Sequence, residues 1–267
     1  MTRDDWPPAG WTRRTHRHES HDHPYYELAP EGSPDAAGVI LLHEFPGISA
    51  HLVEFAGELA GRFRVVVPSI LGRDGDPGLS GVVTGLCIRR EVYAFRRGRT
   101  SRAVAWLRVL ADQVLAGPAG RPYGVVGMCM TGNVALALAV DPRVRAAVVA
   151  QPALPLSRLQ RHLPLPRSAG RAADLGLSDE DRDALRARVV ADPAALCVRG
   201  YRFRDDWQSP PEKLTSTAEL LGPDTVRVVT LTEPRPDAHS TLTGPNRNQA
   251  AVDEVIRFLH QRLSGDQ

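Results

Sequence analysis

The chain has 267 residues, 42% of them apolar and 24% charged, enough for one sizeable α/β core or two small ones. Its 33 basic and 31 acidic residues leave a net charge of +2, which argues against a dedicated nucleic-acid binder. Cys87, Cys129 and Cys197, with no CxxC pair, exclude a disulfide framework and a cysteine-rich zinc module.

Residues 1–14 contain Pro, Arg and Trp without periodicity and read as an arm with little structure of its own. Thr15 to Leu28 is extended, with a turn expected near His21–Pro24. Ala37 to His43 is a continuous apolar run, as in a central strand covered on both faces. His51 to Arg62 places Leu52, Phe55 and Leu59 at helical spacing, and Phe63 to Pro68 is again a strand. Residues 69–98 are Gly- and Arg-rich and irregular. Thr100 to Leu115 is a helix with one apolar stripe. Tyr123 to Met128 is a strand that runs directly into Thr131–Val140, a helix apolar nearly all round and therefore buried. Arg145 to Ala150 follows as a strand.

The rhythm then breaks. Residues at about 151–191 read as an insertion, with a polar helix over Ser178–Ala191 capped by Ser178 or Asp179. Ala195 to Phe203 and Thr225 to Leu231 are the last strands, and Asn248 to Leu263 the final helix. Strands alternating with helices imply an α/β fold with a mostly parallel sheet and helices on both faces. Residues 15–267 form a single domain in this reading. Function in such a sheet sits at the carboxyl ends of the strands.

The remaining chemistry is narrowed by absences. Lys213 is the only lysine and there is no GxxxxGK[ST], which leaves phosphate-loop chemistry without its motif. The first residues lack the apolar core of a signal peptide, and no apolar run is long enough to span a bilayer. The expectation is a soluble cytoplasmic protein acting on a small molecule, with no nucleic-acid or membrane partner. The sequence leaves the oligomeric state open.

Gly124-Val-Val-Gly127-Met128-Cys129-Met130-Thr131-Gly132 is the most informative segment. Cys129 sits at a strand-to-helix joint, where a nucleophile projects over the sheet edge. The helix N-terminus behind it favours a thiolate, and the Met130 N–H points where an oxyanion would develop. The bland alternative is a small buried cysteine at a helix start. An acid and a base in the right chain order favour the nucleophile. Asp205-Asp206 follows one strand and His239 follows the next. The imidazole of His239 would take the thiol proton, and a carboxylate would fix its tautomer. His43 is a rival base, though its place suits loop shaping better. In the loop His43-Glu44-Phe45-Pro46-Gly47, Phe45 can supply the second oxyanion N–H. Glu44 would accept the thiol proton, hold the resting side chain, or cap the next helix.

With these residues in place the chain resembles the dienelactone hydrolase family of α/β-hydrolases, over roughly Thr15 to Leu263. The resemblance is carried by His43-Glu44-Phe45-Pro46-Gly47, Gly127-Met-Cys129-Met-Thr131-Gly132, Arg202-Phe203 followed by Asp206, and His239. It implies a triad of Cys129, His239 and Asp206, an oxyanion hole from the backbone of Phe45 and Met130, and a Glu44 that interacts with the resting thiol. The implied reaction is hydrolysis of an ester or lactone through an acyl-thiol intermediate, with no cofactor and no metal. Two departures stand out. Thr131 and Gly132 replace the usual glycine two residues after the nucleophile. No arginine follows His239 before Arg247, which points away from dienelactone itself; Arg89 and Arg90 are left as substrate-binding candidates. The competing reading is an inert α/β-hydrolase fold that binds a ligand or senses redox state through Cys129. His16, His18, His21 and His23 suggest a metal site, but a solvated hairpin explains them as well.

Overall fold

The computed structural model describes residues 6–33, 35–45, 47–70, 74–75, 100–153, 172–235 and 237–264. Eight strands form one sheet: β1 (Thr12–His18), β2 (His21–Leu28), β3 (Gly38–Leu42), β4 (Arg64–Pro68), β5 (Tyr123–Met128), β6 (Val144–Ala150), β7 (Cys197–Phe203) and β8 (Val226–Leu231). Their spatial order is β1-β2-β4-β3-β5-β6-β7-β8. The β1–β2 and β2–β4 pairs are antiparallel, and β3 to β8 are parallel to one another. The helices are α1 (Ala50–Ala60), α2 (Arg102–Ala111), α3 (Gly132–Leu138), α4 (Asp179–Ala191), α5 (Pro211–Leu221) and α6 (Gln249–Leu263). Among the described residues no helix is long and apolar enough to cross a membrane.

The central strands read as unbroken apolar runs because both of their faces are covered. All five residues of β3 are buried. Ile40 and Leu42 belong to the apolar layer that also holds Leu107 of α2, Val134 of α3, Leu185 of α4 and Leu214 of α5. Val39 and Leu41 face the other way, toward Leu52 and Phe55 of α1 and Val255 and Leu259 of α6. The helices begin where their sequences provide a cap. Ser49 Oγ accepts from Leu52 N at 3.3 Å and Asn248 Oδ1 from Ala251 N at 3.0 Å. Ser178 caps α4 and is followed by Asp179, Glu180 and Asp181, which suit the positive end of the helix dipole.

Several boundaries differ from the sequence reading. The hairpin turns at Glu19–Ser20, with His18 paired to His21, earlier than the expected turn at His21–Pro24. Glu19 takes a positive φ of 54° to make that turn. Part of the supposed arm is ordered. Trp11 is buried, and Trp6 Nε1 donates to Tyr26 Oη at 2.7 Å, because three aromatic rings find cover in one another. The helical segment around Lys213 is α5, which joins β7 to β8 and keeps them parallel; Pro211 opens it and Leu214, Thr217 and Leu221 are on its buried side. α4 is the crossover from β6 to β7. Its Leu185 and Val189 enter the core, so it belongs to the sheet's own helix layer rather than to a separate cap.

The order of strands reverses at β3, since β4 lies on one side of it and β5 on the other. A crevice opens at the carboxyl ends of such neighbours. Cys129 follows β5 and Glu44 follows β3 at that point.

Candidate active site

Cys129 directly follows the last residue of β5 and has φ of 54°, a strained value for a residue with a Cβ. A single 3₁₀ turn, Cys129–Thr131, then leads into α3. The turn is this tight only because Gly127 lacks a side chain. A Cβ there would lie 2.3 Å from the Thr131 carbonyl oxygen and 2.7 Å from the Ala135 Cβ. Thr131, the residue that departs from the usual glycine, is fully buried. Its Oγ1 accepts from Met128 N at 3.0 Å and lies 3.2 and 3.1 Å from the carbonyls of Leu42 and His43. The hydroxyl thus joins the Cys129 turn to the exit of β3.

Two residues from other strand ends complete the group. The buried Asp206 turns back after β7. Its Oδ1 accepts from Gln208 N at 2.9 Å and Ser209 N at 3.3 Å. Its Oδ2 meets His239 Nδ1 at 2.7 Å. The adjacent Asp205 is exposed and its N–H donates to Glu233 instead. Arg202 lies beneath this turn, donating to the carbonyls of Ser209 at 2.9 Å and Asp206 at 3.3 Å. Nε2 of His239 is buried and makes no hydrogen bond of ordinary geometry. The Cys129 thiol is nonetheless close enough to interact with the ring by hydrogen bonding and charge. Burial opposes a charged imidazole, but Asp206 and Cys129 outweigh it and raise His239 to about 10.

The exit of β3 supplies the rest. His43 is fully buried. The Ile70 N–H donates to its Nε2 at 3.0 Å, so Nδ1 carries the proton and donates to the Glu44 carbonyl at 2.9 Å. Burial pushes its pKa down. Both ring nitrogens shape the backbone, which removes His43 as a rival base. Glu44 does not cap α1; Ser49 does. Its carboxylate is held by Ser240 Oγ at 2.8 Å and by Thr243 Oγ1. Among the described residues no hydrogen bond joins Glu44 to Cys129. Leu42 pairs with Gly127 across β3 and β5. Phe45 and Met130 each lie three residues past that pair, so their N–H groups sit at matching steps beyond adjacent strands. Met130 lies in the first helical turn after β5, where backbone donors lack internal partners.

The other residues singled out lie elsewhere. Arg89, Arg90 and Cys87 fall outside the described residues. Arg247 is paired with Glu58 at 2.6 Å. The lone Lys213 is buried on α5, where burial lowers it to about 8 and its Nζ donates to the Asp174 carbonyl. His16 faces His23 and His18 faces His21 across the hairpin, and His23 stacks on Trp106 at 4.2 Å. Among the described residues no group of three or more His, Cys, Asp or Glu is arranged to hold a metal ion. The sequence reading missed three contributors. Ser240 and Thr243 were visible only as the absence of an arginine. Gln151, placed in the insertion, is fully buried at the end of β6, has φ of 34°, and accepts from Thr241 N at 3.2 Å and from Thr241 Oγ1.

Comparison with known proteins agrees with this architecture. The sequence matches the dienelactone hydrolase family over residues 25–183. No curated protein is a match. The fold is similar to ferulic-acid-bound Est1E from Butyrivibrio proteoclasticus, with a TM-score of 0.63, 13% identity, and coverage of 94% of this chain and 99% of that one. It is also similar to a candidate dienelactone hydrolase from Klebsiella pneumoniae subsp. pneumoniae MGH 78578 (TM-score 0.60, 14% identity, 96% and 98% of the two chains). A 2,6-dihydroxy-pseudo-oxynicotine hydrolase gives a TM-score of 0.58 at 16% identity, over 93% of this chain and 68% of the other. Identities this low speak for the fold alone, which is that of the α/β-hydrolases. The family match spans more than half of the chain and includes the loop after β3 and the turn after β5: the chain belongs to the dienelactone hydrolase family, and it is a hydrolase of the α/β-hydrolase fold.

Proposed function

We propose that the chain hydrolyses an ester or lactone bond through an acyl-thiol intermediate, with Cys129 as nucleophile, His239 as acid and base, and Asp206 as the orienting carboxylate. The observation that carries the reading is the 2.7 Å contact between Asp206 and His239 Nδ1, with Cys129 interacting with the same ring. With Nδ1–H spent on Asp206, Nε2 is the atom left to exchange a proton with sulfur. The Cys129 sulfur attacks the carbonyl carbon, and the carbonyl π electrons move to oxygen. The N–H groups of Phe45 and Met130 stabilise that oxyanion. When it collapses, the C–O bond to the leaving alcohol breaks, and His239 gives the alkoxide its proton. In a lactone the alcohol stays tethered to the acyl group. Water then attacks the acyl-thiol, His239 takes the water proton, and the thiolate leaves to restore the enzyme. The chain acts on a small molecule in this reading and needs no cofactor. Arg89 and Arg90 are proposed to contact the substrate.

The test is a panel of aryl esters, simple lactones and dienelactone, run with wild type and Cys129→Ala. Turnover of at least one substrate by wild type, abolished in the variant, is the expected result. Equal rates in the two would favour the inert binding or redox-sensing reading. In parallel, trace iodoacetamide near neutral pH should modify Cys129 faster than Cys87 or Cys197; equal labelling would remove the activated thiol.

A further inference from the structure

We propose that Glu44 is a positioning residue, which clamps the loop carrying His239 through Ser240 and Thr243. The inference rests on the proposed Cys129–His239–Asp206 triad and deepens it.

Glu44 and its partners come from opposite ends of the chain, 196 and 199 residues apart. Each carboxylate oxygen receives one hydroxyl proton, from Ser240 to Oε2 and from Thr243 to Oε1. Ser240 is the residue after His239, and Thr243 is buried.

The clamp belongs to a closed ring of polar ties around the triad. Thr131 joins the nucleophile turn to the exit of β3. Glu44 joins the exit of β3 to the His239 loop. Gln151 joins that loop to the exit of β6 through Thr241. Ala153 N donates to the Cys129 carbonyl at 3.0 Å, which closes the ring at the nucleophile. Four segments at the strand ends are therefore tied into one ring, each to the next. Cutting one tie frees the base relative to the sulfur without touching either. A displacement of about 1 Å at a reacting group costs on the order of 100-fold in rate.

The experiment compares Glu44→Ala, Glu44→Gln and the double variant Ser240→Ala/Thr243→Val on a neutral aryl ester. It records kcat, KM and the pH dependence of Cys129 alkylation. Expected are losses of about 10- to 100-fold in kcat for Glu44→Ala and for the double variant, with KM within about threefold. Glu44→Gln keeps an acceptor for one hydroxyl and a donor for the other, and should recover about tenfold of the Glu44→Ala loss. The pH profile of alkylation should stay in place in all three. The proposal is overturned if Glu44→Gln is as damaging as Glu44→Ala while the double variant matches wild type, or if the alkylation profile moves with the Glu44 charge. Should Glu44→Ala fail to fold, the double variant and Glu44→Gln decide the matter alone. Failure of the underlying triad is separate: it would appear as turnover that survives Cys129→Ala.

Discussion

Replacing Asp206 by Asn changes one atom of the side chain and removes its charge. The asparagine oxygen can still accept from Gln208 N and Ser209 N, so the turn after β7 keeps its backbone bonds. The amide nitrogen then stands opposite His239 Nδ1 in place of Oδ2. An NH₂ group cannot accept, so the imidazole must move its proton to Nε2, the atom needed to take the proton from sulfur. Raising a histidine from 6.5 to about 10 corresponds to roughly 5 kcal/mol between its protonation states. Cys129 shares in that effect, so the Asp206 charge carries only part of it. The wrong tautomer should take the loss of activity toward about 10³- to 10⁴-fold, the range seen for this change in a Ser-His-Asp triad. The assay is kcat/KM for an aryl ester between pH 5 and 10, with Asp205→Asn as the control. The variant's alkaline limb should shift downward from about 10, while Asp205→Asn stays within about twofold of wild type. Because the folded His239 value lies above the unfolded 6.5, its stabilisation is complete below that pH and is lost as pH rises through about 10. The Tm gap between wild type and Asp206→Asn should narrow over the same range. Activity within tenfold of wild type and an unmoved alkaline limb would refute the assignment.

Two further outcomes follow from the packing. Gly127→Ala sets a Cβ 2.3 Å from the Thr131 carbonyl, in a turn closed on both sides, and should cost about 2–4 kcal/mol in urea unfolding. A loss under about 0.5 kcal/mol would show that the turn can widen. Lys213 has a folded pKa of about 8, below its unfolded 10.5, so the folded chain binds fewer protons between those values and stability rises with pH there. Lys213→Met should abolish that rise in Tm and leave ester turnover intact; a loss of turnover would reopen lysine chemistry.

Much of the fold is written in short windows of sequence. The apolar run of β3, the stripes of α1, α2 and α6, and the Gly127–Gly132 turn each depend on neighbours within a few residues. The helical context of Lys213 was legible, but the bounds of α5 were not: its buried Leu214, Thr217 and Leu221 are few among polar neighbours. The hairpin was misplaced by a few residues because Glu19 carries the positive φ that a glycine would have advertised.

The sequence by itself determined the α/β class, the cysteine at a strand-to-helix joint, and the order of Cys129, Asp206 and His239 after successive strands. These depend on periodicity and backbone sterics, which act locally. Only the tertiary structure decided which aspartate meets His239, that His43 spends both nitrogens on the backbone, and that Glu44 is gripped by hydroxyls nearly 200 residues away. Those choices turn on strand order and on which loops meet over the sheet. Side-chain hydrogen bonds reach only about 3 Å, so a partner is fixed when the whole sheet is assembled.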